Sequence, residues 1–383
     1  MRIRMLTILA LMSVTLMARV PEQGRHVYEA SAPEVTYVGR VVKDSTGAHV
    51  SFDWAGTYLR IAFNGRLLKM AYSDTGSNWY SLWIDRPMTE EPDKVFRLTA
   101  MDEGETMGLY TLFRGLEYED HELILQKRTE GEQGMLTVYS WQVDGMLRQA
   151  EPMKQRLIEF VGDSYTCGYG IEAKSYKEHF TPRTENAGLT YAALIAAYFG
   201  ADYRLVAHSG MGLVRNYNSH FPNTNMPQLY LQALDWDTVS SPLWVPDSTA
   251  KKPDMTVVYL GGNDFSCGMQ PSYGRFRDGY MRLLKAIKAN YGPGHTILCV
   301  TKPGFEDLRD YVARVVKDCG MKRVYHFAHA EMVYDMNTDM GADWHPNRVG
   351  HMKLAYSIIP YISTLTGWEM KPLSIDNTTR KEK

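Results

Sequence analysis

The 383-residue chain has only four cysteines, Cys167, Cys267, Cys299 and Cys319. They have neither the density of a disulfide scaffold nor the paired spacing of a zinc site. Cys167 and Cys267 lie three residues beyond Ser164 and Asp264, a placement that permits one disulfide without requiring it. An excess of one charge is also missing: 42 Lys and Arg stand against 44 Asp and Glu, for a formal net charge of -2. With no Lys/Arg-rich run to follow a phosphate backbone, nucleic acid is excluded as a partner class. Long apolar runs are absent beyond the N-terminus, so no later segment spans a bilayer. Even the run from Met5 to Met17 falls short of the ~20 residues a spanning helix needs. Arg2 and Arg4 precede it and Ala18 closes it before polar sequence, the layout of a secretory signal peptide over residues 1–18. The mature chain is therefore expected to be secreted or periplasmic, with no membrane contact after removal of the signal.

The rest of the chain falls into two rhythms, and its length favours two domains. Between Val35 and Val143 short segments alternate apolar and polar residues, separated by Gly, Asp and Asn. In "TYLRIAF", Leu59, Ile61 and Phe63 share one face and Tyr58, Arg60 and Ala62 the other, the pattern of a half-buried strand. Seven or more such segments predict an all-β sandwich of jelly-roll type over residues 33–150. From residue 155 to 370 the period changes. Apolar runs at 157–161, 203–207, 254–260, 296–300 and 323–327 read as buried strands. They alternate with "AGLTYAALIAAYFG", "RFRDGYMRLLKAIKANYG" and "NRVGHMKLAYSIIPYISTL", which carry apolar residues at helical spacing. This alternation predicts a three-layer α/β domain with a parallel sheet and a site beyond the carboxyl ends of its strands.

Four segments sit at those strand ends. "GDSY" follows the first strand and presents Ser164 in a glycine-rich turn. "SGMG" follows the second with Gly210 and Gly212, whose bare backbones can bring an N–H close to a substrate. "GGND" follows the third with the Asn263 amide, and "DWHP" places His345 just before the last helix. A serine hydroxyl is a weak nucleophile that needs a general base and donors for a developing oxyanion, and these residue types supply both. "HFAH" (His326, His329) has no carboxylate or cysteine cluster to complete a metal site, so no metal or other cofactor is expected.

In order and placement the four blocks resemble those of the SGNH (GDSL-type) hydrolase superfamily. With the preceding sandwich, and "IEFVGDSYTCGYG" in particular, the mature chain is similar to carbohydrate esterase family 2, two-domain acetyl esterases of plant polysaccharides. The resemblance implies Ser164 as nucleophile, His345 as base, and oxyanion donors from the Ser164 amide, Asn263 and a glycine, with Gly212 preferred to Gly210. The superfamily's acid usually lies three residues before the histidine, where this chain has Ala342. Asp343, two before, is the candidate third member, and a backbone carbonyl is the alternative orienter.

The resemblance implies a secreted carbohydrate O-acetyl esterase that removes acetyl groups from xylan or glucomannan by a Ser/His acyl-enzyme route, its partner an acetylated oligo- or polysaccharide. Trp344, beside the base, is a candidate sugar platform, as are Tyr165 and Phe265. Residues 219–246 form a candidate cover. Two other readings stand beside this one: an esterase or lipase acting on small or lipid acyl esters, and a non-catalytic glycan-binding protein with a relic hydrolase half. An unperturbed histidine titrates near ~6.5, so activity is expected to rise with pH from about 5.5 to 7.5.

Overall fold

The computed structural model describes residues 25–98, 107–219, 224–235, 241–246 and 251–371. The proposed signal peptide lies outside them. Among the described residues no helix is long and apolar enough to cross a membrane.

Among the described residues of the first half, ten strands join in one antiparallel sheet. They are β1 (His26–Glu29), β2 (Thr36–Val38), β3 (Val42–Lys43), β4 (Val50–Phe52), β5 (Tyr58–Asp74), β6 (Tyr80–Ile84), β7 (Lys94–Phe96), β8 (Gly108–Lys127), β9 (Leu136–Val143) and β10 (Met146–Arg148). The long strands β5 and β8 pair with each other through register shifts at Gly65/Leu67 and Leu68/Lys69. At the first shift Asp144 Oδ1 accepts the N–H groups of Arg66 and Leu67 at 2.8 and 3.0 Å. These are donors that a bulge takes out of the ladder. Before the shift β5 pairs with β2 and β10, after it with β9, so its two halves belong to two layers. Leu59, Ile61, Phe63, Leu68, Met70 and Trp141 fill the space between the layers. The sandwich is thus one sheet folded on itself. The pattern had broken "TYLRIAFN" at Asn64–Gly65 and separated "MGLYTLFRG" from "HELILQK"; each break lies inside a single strand, because a bulge lets the chain bend while pairing continues.

The second half is a parallel sheet of β11 (Leu157–Gly162), β12 (Asp202–Ala207), β13 (Met255–Tyr259), β14 (Thr296–Thr301) and β15 (Val324–Ala328), in the order β12-β11-β13-β14-β15. Every residue of β11 to β14 is buried, as runs without alternation require of a sheet covered on both faces. The helices are α1 (Ser164–Cys167), α2 (Tyr191–Tyr198), α3 (Met226–Leu229), α4 (Tyr273–Tyr291), α5 (Glu306–Asp318) and α6 (Arg348–Thr366). Helices α2 and α6 pack with Phe160, Val257 and Leu298 on one face. Helices α4 and α5 pack with Val161, Val258 and Ile297 on the other. The strand order reverses beside β11, which opens a crevice beyond the carboxyl ends of β11 and β13.

The strand expected to be half-buried is buried on both faces. Its second face, with Tyr58 and Arg60 only 2% and 3% exposed, lies on the α/β half instead of in water. Tyr58 Oη and Arg60 Nη2 donate to Asp202 Oδ1 at 2.7 and 2.6 Å. Arg40 donates to the carbonyls of Tyr230 and Gln232 at 2.6 and 2.8 Å, and Trp54 Nε1 to that of Ala233 at 2.9 Å. The described parts of the candidate cover are therefore fastened to the sandwich; residues 220–223 and 236–240 lie outside the described residues. Arg60→Met should lower the free energy of unfolding by about 3–5 kcal/mol, because it leaves the buried Asp202 without its cation. Equilibrium denaturation of the full chain measures this.

Candidate active site

The Leu157–Gly162 strand ends where only glycine fits: a Cβ on Gly162 would lie 2.0 Å from Thr166 Oγ1. Asp163 then caps α1, its carboxylate accepting the Tyr165 N–H at 3.2 Å, and Gly168 ends that single turn with φ of 83°. Ser164 is left at the first position of the turn, 7% exposed. Its Oγ lies 2.8 Å from His345 Nε2. On the far side of the ring, Nδ1 lies 3.1 Å from the Asp343 carbonyl oxygen. A carbonyl only accepts, so Nδ1 carries the proton and Nε2 offers its lone pair to the Ser164 O–H.

Asp343 thus meets the histidine through its backbone and not its side chain. Its carboxylate accepts the Phe180 N–H at 2.9 Å and the Tyr169 hydroxyl at 3.1 Å, and lies 2.9 Å from His179 Nδ1. Burial would raise its pKa, but these bonds lower it overall. Asp343 as a triad carboxylate is accordingly corrected: two residues of spacing, with φ of 49° at Asp343 and 63° at Trp344, turn the carbonyl and not the carboxylate toward the ring.

The glycine donor is corrected as well. The Gly212 N–H is already bound to Asn216 Oδ1 at 3.1 Å, and a Cβ there would lie 2.0 Å from the Arg215 carbonyl, so this glycine serves loop packing. Gly210, left-handed at φ 76°, has an N–H with no partner among the described residues, as does Ser164. Asn263 Nδ2 donates to the Met211 carbonyl at 2.9 Å and to Asp163 Oδ2 at 3.3 Å, so it joins the turns after the first two strands of this sheet. Asp264, which the pattern did not single out, accepts the N–H groups of Leu213, Val214 and Arg215 at 2.8 to 3.0 Å and holds that loop; burial pushes its pKa up to about 7.

Of the three aromatic candidates only Trp344 is open, 50% exposed and stacked at 3.9 Å on Tyr176. Tyr165 is a buried wall 5.6 Å from the His345 ring, and Phe265 packs against Phe276 and Tyr311. Cys167 and Cys267 are both free, the first buried and the second exposed. Lys302, also unmarked by any motif, lies over the rings of Tyr165 and Phe305 at 5.1 and 4.6 Å. Burial first, and then the Lys302 charge, lower the pKa of His345 to about 4. The expected midpoint near ~6.5 is therefore too high for this environment.

Residues 37–152 match the family model described as carbohydrate esterase 2 N-terminal, and residues 160–353 that of the GDSL-like lipase/acylhydrolase family. A family two carbohydrate esterase from Clostridium thermocellum, solved in complex with cellohexaose, is 30% identical with a TM-score of 0.77, covering 88% of this chain and 100% of that one. The chain belongs to carbohydrate esterase family 2. The cellulase/esterase CelE of Acetivibrio thermocellus is 31% identical over 345 residues, and the match covers 88% of this chain but 40% of that protein. An acetylxylan esterase / glucomannan deacetylase of Cellvibrio japonicus is 26% identical, with 90% of this chain and 92% of that protein covered. A family two structure from Cellvibrio japonicus, with a TM-score of 0.79 at 26% identity, covers 90% of this esterase-family chain and 99% of its own.

Two measurements test the site as built. Only neutral His345 accepts a proton, so ester hydrolysis should stay level from about pH 5.5 to 7.5 and fall as pH drops through about 4. Lys302→Met removes a positive charge that disfavours the imidazolium and should move this limb to higher pH, as read by kcat/KM profiles and His345 ring NMR. Asp343→Asn keeps the carbonyl and should cost less than about tenfold in kcat, against the ~10⁴-fold of a triad aspartate.

Proposed function

We propose that this chain is a secreted carbohydrate O-acetyl esterase that releases acetate from acetylated hemicellulose such as xylan or glucomannan. The observation that carries the reading is the line Asp343 carbonyl, His345, Ser164, with contacts of 3.1 and 2.8 Å. Ser164 Oγ attacks the acetyl carbonyl as His345 takes its proton, and His345 returns that proton to the departing sugar hydroxyl. Water then repeats the sequence on the acetyl-enzyme. The N–H groups of Ser164 and Gly210 and the amide of Asn263, once its weaker contact to Asp163 gives way, receive the oxyanion, each worth about 10²–10³ in rate. The open face of Trp344 receives a sugar ring. The names of the Cellvibrio relatives support xylan and glucomannan as substrates. Export follows from the signal-like residues 1–18, and the matched segments support reading 33–150 and 155–370 as its two domains.

Ser164→Ala should abolish acetate release from acetylated xylan while leaving the melting temperature within a few degrees; activity within tenfold of the parent would remove the assignment. Trp344→Ala should slow turnover of acetylated xylo-oligosaccharides at least ten times more than turnover of p-nitrophenyl acetate, since only the glycan uses the ring. Equal losses would make Trp344 structural. Faster hydrolysis of octanoyl than acetyl esters would favour a lipid-directed esterase.

A further inference from the structure

Building on the esterase reading, we propose that Glu130, a residue of the sandwich half, is a positioning residue for the oxyanion donors of the α/β half. Glu130 follows the long strand Gly108–Lys127 and is 1% exposed, so it does not reach substrate. Its Oε2 accepts the Ser209 N–H at 2.6 Å and the Cys167 S–H at 3.4 Å. Ser209 precedes Gly210, and Cys167 ends the turn that Ser164 begins. One carboxylate oxygen therefore ties together the two turns that carry the unpartnered N–H groups.

The main chain that carries this carboxylate is itself held in place. Buried Lys127 donates to the carbonyls of Thr129 and Glu130 at 2.6 and 2.9 Å, and the Glu130 N–H donates to Glu185 Oε2 at 3.3 Å. The next N–H, of Gly131, donates to Asp235 Oδ2 at 3.1 Å, and Asp235 Oδ1 takes His208 Nδ1 at 2.8 Å. Burial would lower the pKa of His208, but Asp235 carries it up to about 10, so this pair stays charged at neutral pH. His208 and Ser209, successive in the chain, are thus each held by a carboxylate, Asp235 and Glu130. Beyond them Met211 N–H donates to the His208 carbonyl at 3.3 Å and Tyr217 N–H to the Gly210 carbonyl at 2.7 Å. With the planes on both sides engaged, the Gly210 N–H keeps one orientation, as an oxyanion donor must. Without the Glu130 acceptor, the half-buried Ser209 N–H must turn to find another, and the Gly210 peptide turns with it.

The test uses the full chain with Glu130→Ala, Glu130→Gln and Glu130→Asp. Glu130→Ala should lower kcat for p-nitrophenyl acetate by about 10²-fold with KM within threefold, the worth of one oxyanion donor. Binding of methylboronic acid, which becomes tetrahedral on Ser164, should weaken by a similar factor. Glu130→Gln keeps an acceptor oxygen and should recover to within fivefold of the parent. Glu130→Asp withdraws the carboxylate by one methylene and should behave like Ala, so it decides the matter should Ala fail to fold by circular dichroism. The inference is overturned if folded Ala or Asp variants retain kcat within threefold, if only KM changes, or if boronate affinity is untouched. A parent chain without ester hydrolysis would instead remove the functional reading, and this inference with it.

Discussion

The geometry of the site depends on one hydrogen bond, from His345 Nδ1 to the Asp343 carbonyl at 3.1 Å. It places the ring's proton on the side away from Ser164, so that Nε2 faces the hydroxyl as a lone pair. To offer that carbonyl the chain must hold two successive residues, Asp343 and Trp344, in the left-handed region, at about 1–3 kcal/mol each. The Asp343 carboxylate offsets part of this cost: His179, the Phe180 N–H and the Tyr169 hydroxyl gather on it and anchor the strained turn. An aspartate beside a base therefore acts through its main chain while its side chain serves as the mooring.

The sandwich supports the same geometry from the other side. Its strand Tyr58–Asp74 packs an apolar face into its own core and turns Tyr58 and Arg60 onto Asp202 of the parallel sheet. The same half sets Glu130 against the turns after β11 and β12, where its carboxylate accepts the Ser209 N–H and the Cys167 S–H. Within the α/β half Asp264 does the equivalent for residues 213–215. Carboxylates on backbone N–H groups thus help to hold the loops around Ser164.

Much of this was legible in the sequence where physics is local. Five apolar runs became five parallel strands, each bounded within one or two residues, because a sheet covered on both faces needs continuous apolar sequence. The helix Tyr273–Tyr291 was equally readable, with Phe276, Tyr280, Leu283 and Ile287 on its buried face. Ser164 and His345 were legible through the resemblance of four ordered blocks, since residue type at a strand end does not by itself separate a nucleophile from a turn serine; the fold sets them 2.8 Å apart. The sandwich was less so: a bulge at Gly65 looks like a turn, and only the partner strand shows that pairing continues.

What tertiary structure alone decided are matters of orientation between segments far apart in the chain. Residue spacing does not say whether Asp343 offers its carboxylate or its carbonyl; His179 and Phe180, more than 160 positions away, settle it. Spacing cannot separate Gly210 from Gly212, because the choice rests on which N–H the Asn216 side chain consumes. Nor does any motif mark Lys302, whose charge acts on His345, or Glu130, whose carboxylate accepts the Ser209 N–H. The sequence by itself determined the elements and the reactive residue types, which follow from hydrophobic period and side-chain chemistry. Folding decided which atom of each residue faces the site, because hydrogen-bond partners are chosen by proximity in space and not along the chain.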